Sequence, residues 1–182
     1  MAENKTPISE NTSLAKKVAA GVIALSILVI GPVKLNGIYS KTYNVFKSGE
    51  PGKSYAASVC TALEKAADAG NKLSLAVNDS ELGKLAEKLK NEDDPEDMLE
   101  LFSKLKVRAD SSYYEYMAAH PELKDKGSDA ELLYKEVESW QRAIIGDVYW
   151  RYAADYSSER SGFPASLLAM LGGAHKLPDR VK

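Results

Sequence analysis

The side chains that could do chemistry are few. One cysteine, Cys60, and two histidines, His120 and His175, occur in the 182 residues. A cysteine nucleophile needs a base beside it. Cys60 has Glu64 and Lys65 on its own segment and no histidine near it in sequence, which reads as a small buried hydrophobe. His120 precedes a proline and His175 lies in the tail; no spacing unites them, and both are expected to face solvent. One cysteine cannot form an internal disulfide, and this set cannot complete a zinc site. The acidic run Glu92, Asp93, Asp94, Glu96, Asp97 offers the oxygens that calcium takes but lacks the alternation and central glycine of an EF-hand loop. Gly172-Gly173 belongs to no Gly-x4-Gly-Lys-Ser/Thr phosphate loop. Lys104, Lys106 and Arg108 form a basic cluster that suits either the negative end of a helix or an anionic lipid surface. No catalytic residue, cofactor or metal site is therefore expected. A hydrolase built on scattered carboxylates would need a compact pocket holding two of them with well-separated pKa values.

Composition narrows the classes further. A hydrophobic share of 45% against 27% charged excludes disorder as the main state. Basic and acidic side chains number 24 and 26 with no dominant basic patch, which argues against a nucleic-acid partner. The length suits one globular domain with an appended segment.

That segment lies near the start. Residues 1–13 are polar, and from Val18 to Val33 no residue is charged. The run is apolar on every face, as lipid or a fully buried helix requires. Its length falls short of the roughly 20 residues that cross a bilayer. Leu14, Leu35 and Ile38 extend it, Lys16, Lys17 and Lys34 can snorkel to the interfaces, and Tyr39 and Tyr43 follow where interfacial aromatics belong. A cleaved signal peptide would want a short basic leader and a small-x-small site; here 17 residues precede the run and LVIGPVKLNG offers no such site. An uncleaved anchor over 14–38 is the reading. Lys5, Lys16 and Lys17 on one side against Lys34, Lys41, Lys47 and Lys53 on the other leave its orientation open under the positive-inside rule.

Everything after the anchor reads as helix, with a break at Pro51-Gly52. Tyr55, Val59, Leu63, Ala66, Ala67, Leu73 and Val77 make one apolar stripe over 53–77, and Leu82, Leu85, Ala86 and Leu89 make another. Asp94-Pro95 is a helix start, with Asp as cap, Pro in the first turn and Glu96 and Asp97 at the positive dipole end. Met98, Leu99, Phe102, Leu105 and Ala109 carry that helix towards Tyr113 and Met117. His120-Pro121 breaks it, and Ser128-Asp129-Ala130-Glu131 spells a capping box. Leu133, Val137, Trp140, Ile144 and Val148 then predict one long helix over about 128–160, ended by Gly162-Phe163-Pro164. Ala165–Leu171 can make a short apolar helix. No strand pattern appears. The fold class expected is all-α: a transmembrane helix followed by an antiparallel up-and-down bundle. Tyr149, Tyr156 and Phe163 recur at sevens, the spacing of a bundle seam, and read first as core and second as a partner-facing aromatic row.

These residues also carry a resemblance. Tyr149-Trp150, Tyr156-Ser157 and Phe163-Pro164, followed by Leu167, Leu168 and Ala169, resemble the C-terminal signature of the LemA family, Tyr-Asn, Tyr-Asn and Phe-Pro at sevens. His120-Pro121-Glu122-Leu123-Lys124 is similar to that family's Tyr-Pro-Glu/Asp-Leu-Lys turn. Val59, Leu63, Asp68, Leu73 and Val77 resemble its first-helix register, and Tyr43-Asn44 its Tyr-Asn after the anchor, with Glu50 at an acidic position. The match runs with gaps from about residue 18 to 172. The chain departs from the pattern at Lys65 and Ala66, where paired arginines are usual, at Gly70-Asn71, at Trp150 and Ser157, at Gly146, and at Pro51-Gly52. The resemblance implies a polar arm (1–13), an anchor (14–38), a helical bundle (39–173) and a tail (174–182). It also implies an arm outside and a bundle inside the cell membrane, in a bacterial family of unestablished molecular function.

The function expected is that of a membrane-anchored adaptor or scaffold, held by lipid through 14–38 and binding an unknown membrane or soluble protein. The alternative is a self-assembling protein that shapes the membrane, a homo-oligomer built on Trp150, Tyr152 and Tyr156. Burial or exposure of those three side chains discriminates the two. Residues 1–52 carry a charge of +3 and the remainder −5, a basic stem below a mildly acidic bundle.

Overall fold

Helix boundaries fall where side chains can satisfy the orphan backbone donors of a first turn. The computed structural model describes residues 12–52, 57–123 and 128–178. Among them are seven α-helices and one 3-10 turn, with no strand: α1 (Thr12–Ser48), α2 (Val59–Ala76), α3 (Ser80–Lys90), α4 (Pro95–Ala119), α5 (Asp129–Gly146), α6 (Tyr149–Arg160), α7 (Ala165–Leu171), and Pro121–Leu123 between α4 and α5. Ser58 caps α2 by accepting the Thr61 N–H, and Asp79 caps α3 through the Glu81 and Leu82 N–H groups. Asp94 caps α4 with Pro95 in its first turn, and Ser128 caps α5 by accepting from Glu131. The all-α class, the Asp94-Pro95 start, the His120-Pro121 break and the short Ala165–Leu171 helix are as the sequence reads. Tyr55 and Lys124 lie outside the described residues, as does most of the arm.

The chain divides into two compact units, Met1–Ser40 with Ser158–His175, and Lys41–Ser157 with Lys176–Lys182. The second unit is the bundle. α2 touches α3, α4 and α5, while α3 meets α4 and α4 meets α5, so neighbours in sequence are neighbours in space and the last closes onto the first. Asp68 pairs with Lys90, and Ser74 faces Gly83; partners run in opposite directions along the two helices, which makes α2 and α3 antiparallel. Their turn places Asn78 at φ 56°, a left-handed conformation that asparagine tolerates better than most residues. The core gathers Leu63, Leu73, Leu82, Leu89, Met98, Phe102 and Leu105, all buried. Burial of each such side chain contributes about 1.5–3 kcal/mol. Val45 and Phe46, from the last turns of α1, join this core, with Phe46 edge-on to Tyr149 at 5.1 Å.

One long helix over 128–160 is not what forms. α5 stops at Gly146, and Asp147 has an extended backbone (φ −67°, ψ 145°) and accepts the Tyr149 N–H at 2.7 Å to start α6. The stripe of apolar positions continues through Val148 and so conceals the break. Gly146-Asp147, a helix-ending residue followed by a capping one, is the local signal that marks it.

The first unit holds the apolar part of α1 and α7. Gly31 lets the Leu168 side chain approach so closely that a Cβ there would meet Leu168 Cδ1 at 2.9 Å. A Cβ on Gly172 would meet the Pro32 carbonyl oxygen at 2.7 Å. Lys34 reaches Glu159 at 3.5 Å, and Tyr39 lies edge-on to His175 with ring centroids 6.0 Å apart. Residues 158–173 therefore group with the apolar part of α1, where the sequence reading has them in the bundle.

Candidate membrane-contacting surface

Nine aliphatic side chains between Val18 and Val33 are large, apolar and exposed: Val18, Val22, Ile23, Leu25, Ile27, Leu28, Val29, Ile30 and Val33. Leu25, Val29 and Ile30 are each 64% exposed, whereas Leu35 is 5% exposed. A core helix of a soluble protein would be the reverse. Only 6% of the most apolar eighteen-residue stretch of this helix is buried. From Val18 to Val33 no charged residue occurs, so no face of that run turns polar towards water. α1 is long and apolar enough to cross a membrane: at 1.5 Å per residue the stretch 14–38 spans about 37 Å, against a hydrocarbon thickness of about 30 Å. At roughly 0.3–0.6 kcal/mol each, the nine aliphatic groups contribute about 3–5 kcal/mol towards insertion.

Pro32 sits inside this helix. It has no N–H to give the Leu28 carbonyl, a gap that membrane helices tolerate where neighbouring groups re-satisfy the backbone.

The aromatic positions fall elsewhere than on an exposed row. Tyr156 is 1% exposed and Trp150 8%, and the Trp150 indole N–H donates to the Ile144 carbonyl at 2.5 Å. The break at Asp147 turns the start of α6 so that Tyr149 and Trp150 face the core, where a continuous helix would have carried Trp150 outwards. Tyr152 is half-buried, with its hydroxyl 3.4 Å from Glu50 and Lys41 and Arg151 near its ring. The aromatic patch required for self-assembly through Trp150, Tyr152 and Tyr156 is thus absent. Of the heptad series, Tyr149 and Tyr156 are core, but Phe163 lies beyond the end of α6 and is 87% exposed.

The other residues of the family-like motifs occupy local structural positions. Tyr43 is half-buried with Lys47 above its ring, and Asn44 is exposed. Asp68 accepts from Lys90 at 2.8 Å, a hydrogen bond that lowers its pKa. Pro121 opens the 3-10 turn, Leu123 closes it half-buried, and Pro164 is exposed ahead of α7.

Outside the apolar stretch of α1, the charged clusters are taken up by the fold. The basic cluster lies in the middle of α4, not near its end, and is neutralised there. Lys104 pairs with Glu100 at 2.5 Å, Lys106 with Asp110, and Arg108 with Asp79 at 2.6 Å and Glu81 at 3.5 Å. In the acidic run, Asp94 accepts the Glu96 and Asp97 N–H groups, and Glu92 accepts those of Asp93 and Asp94. Among the described residues no group of three or more metal-ligating side chains comes together. Burial and the Glu64 carboxylate push the Cys60 thiol pKa up, and the thiol donates to Glu64 at 3.8 Å, the opposite of an activated nucleophile. His120 stacks on Tyr116, with its Nδ1 2.9 Å from the Tyr116 carbonyl. An open groove of about 600 Å³ beside α3 and α4 is lined by Lys84, Lys88, Lys104, Glu87, Asp97 and Glu100 among others. Its charges nearly balance and select neither sign of ligand.

No family model, no curated protein and no solved structure matches this chain. The exposed apolar surface of α1 is the feature of this chain that bears most directly on function.

Proposed function

We propose that this protein is a single-pass membrane protein of LemA type, a helical bundle tethered by α1 that acts by binding another protein as an adaptor or scaffold and performs no catalysis. The observation that carries the reading is the all-round exposure of nine aliphatic side chains on one uninterrupted helix. Patches far smaller than this mark interaction sites, and lipid covers every face of a helix that its own fold leaves exposed. The bundle has its own core and so is suited to presentation at the membrane surface. The buried state of Trp150 and Tyr156 removes the support for membrane shaping through an aromatic row. By resemblance, the bundle faces the cytoplasm of a bacterial cell.

Two measurements on the full chain test this. After an alkaline carbonate wash, the protein should stay with the membrane pellet; release into the supernatant would sink the anchor. Single-cysteine variants, with Cys60→Ser and either Ser9→Cys or Ser128→Cys, are then exposed to an impermeant thiol reagent in intact cells. Reaction of S9C alone puts the bundle inside. Reaction of S128C alone places it outside and overturns the orientation taken from the resemblance. Affinity capture from detergent extract that repeatedly returns neither a partner nor a second copy would remove the adaptor reading.

A further inference from the structure

The chain between Ser161 and Ala174, SGFPASLLAMLGGA, has no charged residue, whereas Glu159 and Arg160 precede it and His175 and Lys176 follow. This uncharged stretch is the second of its kind in the protein. Its contacts with α1 fix its level along the anchor. Glu159 meets Lys34, Leu168 meets Gly31, Gly172 approaches Pro32, and His175 meets Tyr39. At 1.5 Å per residue, the chain descends about 4.5 Å along α1 from Lys34 to Gly31 and then climbs about 12 Å to Tyr39. It dips into the apolar level of the anchor and returns to the level of its polar flank.

At the bottom of the dip, α7 buries Leu168 and Ala169 and leaves Leu167, Met170 and Leu171 outward at 42%, 69% and 62% exposure, with Phe163 at 87% just ahead of them. The backbone is prepared for a dry environment. Ser166 and Leu168 donate their N–H groups to the Gly162 and Pro164 carbonyls. At the other end, Ala174 N–H donates to the Ala169 carbonyl and Gly173 N–H to that of Met170, with Gly173 at φ 72°. This is a Schellman closure, which satisfies carbonyls that would otherwise need water.

We propose that residues 161–174 are a second membrane contact, a re-entrant segment that lies against α1 with Phe163, Leu167, Met170 and Leu171 in the interfacial and upper acyl region of the same leaflet. The inference rests on the reading of α1 as a membrane span, because it is the packing at Gly31 and Pro32 that sets the depth of α7. The occupant is lipid because the outward face of α7 is continuous with the exposed apolar surface of α1 within one compact unit. It is flanked by an ion pair at one level and by a Tyr–His contact at the next, the polar groups expected at a headgroup boundary.

The test uses the full chain carrying Cys60→Ser and one further substitution, Leu171→Cys, Leu25→Cys or Val107→Cys. Each variant is labelled with an environment-sensitive fluorophore and reconstituted in phosphatidylcholine–phosphatidylglycerol vesicles. A nitroxide quencher is placed either near the ester linkage or deep in the acyl chain. The expected result is blue-shifted emission from L171C, quenched more by the shallow nitroxide than by the deep one. L25C should be quenched more by the deep one, and V107C, on the bundle surface, by neither. Quenching of L25C with none of L171C overturns the re-entrant segment and leaves the anchor standing. Loss of quenching at both positions overturns the anchor, and the segment with it. A blue shift of L171C without lipid quenching assigns the face to protein, and cross-linking would identify a second copy. Phe163→Cys provides an independent position should L171C disturb packing.

Discussion

Asp79 joins three parts of the bundle through one carboxylate. One oxygen accepts the N–H groups of Glu81 and Leu82 at 2.9 and 3.2 Å, capping α3; the other accepts from Arg108 Nε at 2.6 Å and from the Ser112 hydroxyl on α4. Burial pushes its pKa up, but the hydrogen bonds from Arg108, Ser112 and the two backbone groups outweigh this and hold it at about 2, below the ordinary 3.8. A carboxylate with a depressed pKa in the fold contributes stability in full above its unfolded value. That contribution, on the order of 2 kcal/mol, is lost as pH falls from about 4 to about 2. Asp79→Ala should cost about 2–4 kcal/mol at neutral pH, cap and ion pair together. Asp79→Asn keeps the cap and should cost about half as much. Thermal unfolding in detergent between pH 2 and 7 reads both; an acid limb unchanged in D79N would assign it to other carboxylates. Asp147 has the opposite sign. Burial raises its pKa, with Glu50 adding and the Tyr149 N–H opposing, so its charge is a burden at neutral pH that acidification relieves. Asp147→Asn, which keeps the cap, should match or exceed the parent in thermal stability at pH 7, while Asp147→Ala should fall below it.

Between elements, the two glycine contacts of the first unit predict different costs. Gly172 has φ −83°, open to any residue, but a Cβ there strikes the Pro32 carbonyl, which is backbone and cannot step aside. At Gly31 the obstacle is the end of the Leu168 side chain, which can rotate. Gly172→Ala should therefore loosen α7 from α1 more than Gly31→Ala does. Limited trypsin digestion in detergent would show faster cleavage after Arg160 in G172A; equal rates in both variants would mean that α7 is not held at Pro32. Two helix starts are legible from single residues, because a cap acts within four positions: Asp94-Pro95 and Ser128-Asp129-Ala130-Glu131 each mark a start that the structure places there. By contrast, α2 starts at Val59 behind Ser58, inside the stripe read over 53–77, and the Asp79 cap of α3 lies between two stripes. The α5–α6 break was not read, since periodicity averages over several turns and the stripe from Leu133 to Val148 runs on through Gly146-Asp147. The fate of Trp150 was lost with it. The descent of 161–174 along α1 was beyond reach for another reason. It depends on Gly31 and Gly172 meeting partners far away in sequence, and nothing in the local pattern of either glycine announces the other.

For the whole molecule, apolar insertion and charge make separable contributions. The first 52 residues carry +3 and the rest −5, so on the proposed reading the stem would be drawn to anionic headgroups and the bundle would not. Attraction of this kind is worth about 1 kcal/mol per basic residue near the surface and is screened by salt, whereas transfer of the aliphatic groups of α1 is not. Reconstituted full-length protein should therefore remain on vesicles in molar salt, and adding phosphatidylglycerol should change its retention little. Salt release would show that charge holds the protein at the membrane.

The contact of α7 with α1 also has a consequence in time. Gly31 and Leu168 are about 140 residues apart, so at 5–20 residues per second they leave the ribosome on the order of 10 s apart. The bundle helices, all encoded between them, can form in far less time. The seat at Gly31 and Pro32 would therefore stand empty while the bundle helices form, and α7 can close onto it only after all of them have been made. Truncation before Ala165 should then leave the bundle folded and the face of α1 at Gly31 and Pro32 uncovered.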